Sequence, residues 1–89
     1  MLCLISYDLK IIGQDYSSLY SAINRLGECC HILDSTWVVK TNFNVNEVSS
    51  YLRQAIDEND RLFVVDISER DRRGWLVQEM WDWMNQHDN

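Results

Sequence analysis

Residues 29–41 read CCHILDSTWVVKT, and the fold turns on how that stretch is taken. Residues 29–33 and 35–41 carry the β-branched and aromatic side chains that fit a pleated, half-buried surface, and they meet tightly around Asp34 and Ser35. The stretch predicts two strands joined by a short turn in mid-chain. Everything on either side can be placed relative to that pair.

Upstream, residues 2–7 (LCLISY) form an apolar run suited to a central strand, ended by Asp8. A loop over 9–14 bends at Gly13, and Asp15 stands where an N-cap would accept bonds from the first free amides of a helix. Tyr16, Leu19, Tyr20, Ile23 and Leu26 then recur at helical spacing, and Gly27 closes the helix. Downstream, Asn44 and Glu47 imitate a capping box, followed by the apolar stripe Val48, Tyr51, Leu52, Ala55 and Ile56. Asn59–Asp60 marks a turn, and residues 62–67 are a last apolar strand.

The element order is β-α-β-β-α-β. With right-handed crossovers it predicts an α+β, ferredoxin-like fold: a four-stranded antiparallel sheet with two helices on one face. The closing stretch GWLVQEMWDWMNQHDN reads as a further helix, a tail over about 72–87 on a single domain that spans 1–89. At 89 residues only one core can close, and such a small core invites a partner subunit.

Composition narrows the function. Fourteen acids against eight bases leave a net charge of −6, which weighs against strong nucleic-acid binding, since that affinity comes from Lys and Arg on phosphates. The densest basic stretch, Arg70, Arg72 and Arg73, is interleaved with Glu69 and Asp71. No run approaches the roughly 18 apolar residues of a membrane span, so no membrane partner is expected. The three cysteines make no disulfide framework, and the N-terminus has no secretory signature, so the cytoplasm is the expected compartment.

A first strand ending SYDL, the mid-chain LDSTWVVKT and the strand RLFVVDI together resemble the SinR-like small proteins, which are similar to the Cas-two family (the small subunit of the CRISPR adaptation complex) and to VapD-like toxins. The likeness covers residues 2–67. It implies a ferredoxin-like homodimer from bacterial or phage defence, some of whose relatives are metal-dependent nucleases for RNA or DNA. The family's catalytic aspartate maps onto Asp8, which would hold a magnesium ion with its copy from a second subunit. A strand-end aspartate also serves simply to start a turn, and that alternative stands beside the first.

Other groups offer less. Cys29 and His31 fall on one strand face and Cys30 on the other, but a structural zinc needs four ligands, and Cys3 and His87 are the only further Cys and His. Ser6, Ser35 and Thr36 lie at sheet ends, where hydroxyls commonly satisfy local backbone. In the tail, Leu76, Met80, Trp83 and Met84 share one helical face, with Trp75 and Trp81 at its sides. So aromatic a helix must lie on its own sheet, across a dimer, or on another protein; Trp75, Met80, Trp83 and Met84 are the candidate contact surface. Three functions are in view: a metal-dependent nuclease acting through Asp8, a non-catalytic dimeric binding module such as a regulator or phage-type inhibitor, and an acidic mimic of nucleic acid.

Overall fold

Leu2–Asp8 (β1) lies at the centre of a four-stranded antiparallel sheet in the computed structural model, which describes residues 1–10 and 16–88. Glu28–Leu33 (β2) and Thr36–Lys40 (β3) are the mid-chain pair, and Arg61–Asp66 (β4) is the last strand. The strands stand in the order β2-β3-β1-β4. β1 pairs with β3 from Leu2↔Lys40 to Ser6↔Thr36, and with β4 from Cys3↔Asp66 to Asp8↔Arg61. With the three helices of the described residues, Ser17–Asn24 (α1), Val45–Arg53 (α2) and Gln78–His87 (α3), this is a small α+β fold.

Strand alternation sorts the side chains into two layers. Cys3, Ile5 and Tyr7 of β1 and Trp37 and Val39 of β3 pack under α1 and α2, against Leu19, Ile23, Val48 and Leu52. Leu2 and Val38 point the other way and are covered by Met84 of α3, with Ile32, Ile67, Leu76, Trp81 and Trp83 around them. The tail therefore packs on its own sheet.

Local chemistry explains the boundaries. The capping box forms: the Asn44 side chain accepts from Glu47 N at 2.9 Å, and Glu47 Oε1 accepts from Asn44 N at 3.0 Å. α2 ends at Arg53, sooner than the apolar stripe suggests, and Arg53 donates to the carbonyls of Ile56 and Asp57 beyond the helix. Ala55 and Ile56 still pack on the core from this turn. Gly27 has a φ of +154°, and a Cβ there would collide with the carbonyl oxygen of Lys40. The bend expected at Gly13 and the cap expected at Asp15 lie outside the described residues.

The tail departs most from expectation. Its helix starts at Gln78, and residues 71–77 run as a non-helical strap. Arg72 holds the strap against the sheet, donating to the Ile67 carbonyl at 2.9 Å and to Asp88 Oδ2 at 2.8 Å. Gly74 sits at φ +158°, and Val77 is extended, so helix cannot propagate backwards through them. The far end of α3 is fastened too: Lys40 donates to the His87 carbonyl at 2.8 Å, and His87 Nε2 meets Glu28 Oε2 at 2.5 Å.

Candidate functional site

Asp8 closes β1 opposite Arg61 of β4. By alternation it shares a sheet face with Ser6, Thr36 and Phe63, the face away from α1 and α2, on the half that α3 leaves uncovered. Ser6 and Thr36 bond through their hydroxyls at 3.2 Å, and Phe63 stands 64% exposed beside them. A shallow hollow of about 200 Å³ opens between Ser6, Asp8, Arg61 and Phe63.

The Asp8 carboxylate has a cation already. Lys10 Nζ lies 2.6 Å from its Oδ2, with both side chains largely exposed. Lys10 is positioned by Asp60, a buried carboxylate that accepts from the amides of Lys10 at 2.8 Å and Asp57 at 2.9 Å. Those bonds tie the loop leaving β1 to the turn entering β4. Asp60 thus stations an ammonium over the strand-end carboxylate. An exposed pair of this kind is worth little, so another cation can displace the lysine.

As a magnesium ligand Asp8 has the right chemistry: a hard, accessible oxygen on the end of a rigid strand. Among the described residues no group of three or more His, Cys, Asp or Glu gathers as a metal-holding set. Magnesium needs only one or two carboxylates beside its waters and substrate phosphate.

Cys29, Cys30 and His31 do not converge on a ligand set. Cys29 Sγ donates to Asn24 Oδ1 at 3.1 Å, and His31 stacks on Trp37 with ring centroids 4.1 Å apart while bonding the Asp34 carbonyl. Burial raises both thiols, and burial together with the charge of Asp66 lifts Cys3 to about 11. Tyr7 accepts from Trp37 Nε1 and donates to the Asp34 carbonyl, and burial pushes its hydroxyl up to about 12. The three thiols and the Tyr7 hydroxyl belong to packing.

The four tail residues separate. Met84 is buried on its own sheet, Trp83 is half-buried and stacks on His87 at 4.2 Å, and Met80 is half-buried on α3. Trp75 stands 100% exposed on the strap. It lines an apolar groove of about 380 Å³ that runs between Leu4, Leu33, Ile67 and Trp81, with Asp71, Arg72 and Arg73 also on its wall. Phe63 and Leu33 were not singled out from the sequence, because their strands are apolar at neighbouring positions too and no clean alternation marks the outward side.

A scan against protein-family models matches none of them to this chain. Among the described residues no helix is long and apolar enough to cross a membrane.

Proposed function

We propose that this chain is a ferredoxin-like, Cas-two-like homodimer that works in the cytoplasm through the open half of its sheet face, cutting phosphodiester bonds in RNA or DNA at a pair of Asp8 carboxylates. One observation carries the reading: Asp8 ends the central strand on the face that α1 and α2 do not cover. A second copy laid on that face about a two-fold axis brings a second Asp8 opposite the first. The β-α-β-β-α-β order and the strand order β2-β3-β1-β4 support the fold half of the proposal.

Bound between the two carboxylates, magnesium would supply an activated water and offset charge on the phosphate. The chain's own residues do the rest. Asp8 anchors, Lys10 moves from Asp8 towards the substrate phosphate, and Arg61 stands across the hollow as a second phosphate partner. The test compares wild type with Asp8→Asn on labelled single-stranded RNA and duplex DNA, with Mg²⁺ or chelator. Cleavage that needs Mg²⁺ and falls by orders of magnitude in the variant supports the proposal, and equal behaviour of the two proteins removes it.

A second reading, a non-catalytic dimeric binding module, is favoured by the Asp8–Lys10 pair and by the exposed Phe63 and Trp75. On that reading Asn serves as well as Asp at position 8 in every assay.

A further inference from the structure

We infer that Trp75 is the anchor of the contact between two copies, each chain's Trp75 filling the other's groove between Leu4, Leu33 and Trp81. The inference rests on the homodimer proposed above and names what holds it together. Trp75 is 100% exposed and is itself one of the residues lining the groove, so projection and recess lie on one face. A projection and a matching recess on one face are what a two-fold contact requires, since each surface must complement itself.

Area favours a copy of this chain as the occupant. A standard interface covers roughly 800 Å² per partner, of which roughly 450–500 Å² is apolar. Trp75 and the exposed two-thirds of Phe63 offer roughly 350 Å² of that, and Leu33, itself 54% exposed, and the groove wall add the remainder.

The experiment follows mass against concentration by light scattering for wild type, Trp75→Ser and Leu33→Glu, with circular dichroism to verify folding. Full exposure of Trp75 means that its replacement removes no contact within the monomer. Wild type should reach twice 10.6 kDa, and each variant should raise the dissociation constant at least about thirtyfold. The double variant should add little to either single change, because both act on one contact. A dimer unaffected by Trp75→Ser overturns this inference and leaves the homodimer standing. A wild-type chain that stays at 10.6 kDa throughout overturns both.

Discussion

Gly27 has little freedom. Its φ of +154° is strained for other residues, and the Lys40 carbonyl occupies the space of a Cβ. Gly27→Ala should cost about 2–4 kcal/mol in urea unfolding, because neither the α1–β2 turn nor the sheet can move aside cheaply. Reading the chain as sequence finds this glycine as a helix end; the approach of Lys40 needs the sheet register. Asp8 was legible in the same way, from its place after an apolar run. Lys10 was not, because its station depends on Asp60, fifty positions along the chain. The thiols give a second check. Cys3 is fully buried and lifted to about 11, while Cys29 and Cys30 are half-buried. Iodoacetamide at pH 8 should therefore modify Cys29 and Cys30 slowly and Cys3 only after guanidinium is added, as mass spectrometry would record.

The tail is the element where sequence and structure part. Its apolar spacing runs through residues 74–84, so periodicity alone starts the helix too early. Arg72's two bonds and the backbone of Gly74 decide the matter, and neither is visible as a pattern. By contrast the Asn44–Glu47 box is local, and local chemistry is what a sequence displays best. α3 is held by packing and by charge, and the two can be tested separately. Met84→Ala opens a cavity over Leu2 and Val38 and should cost about 2–4 kcal/mol in thermal or urea unfolding. The Arg72 hydrogen bond, and then the Glu69 amide, hold the Asp88 carboxyl below the usual carboxylate range. A depressed carboxyl stabilises the fold above its unfolded value, near 3.9, and loses that contribution as pH falls through the folded value. The near-UV signal of Trp81 and Trp83 should accordingly weaken below roughly pH 4. Asp66, held low by Ser68, acts with the same sign, so the comparison needs Asp88→Asn, which should be less stable at neutral pH and lose part of the acid-dependent change.

At the scale of the molecule, charge and topology make different demands. A net charge of −6 sets a general repulsion from nucleic acid, and the arginines of the strap are partly spent on the fold, Arg72 on Asp88 and Ile67. Duplex DNA should therefore show no nanomolar mobility shift at ~150 mM salt; tight binding there would reveal a basic groove created by dimerisation. The strand count was legible in the sequence because each strand carries its own composition. The strand order shows in no single strand; it follows only when the β-α-β-β-α-β succession is combined with right-handed crossovers. That order has a consequence for how the chain comes into being. β1, the central strand, finds its neighbours only at Thr36–Lys40 and Arg61–Asp66. A ribosome delivers it long before either, as a run of LCLISY with both edges open. Until residue 40 has left the exit tunnel this hydrophobic segment can pair only with strangers, and one of its edges stays open until residue 66 has followed. Nascent chains halted before residue 61 should consequently be held by chaperones or aggregate, and those released beyond it should close the sheet in one late, cooperative event.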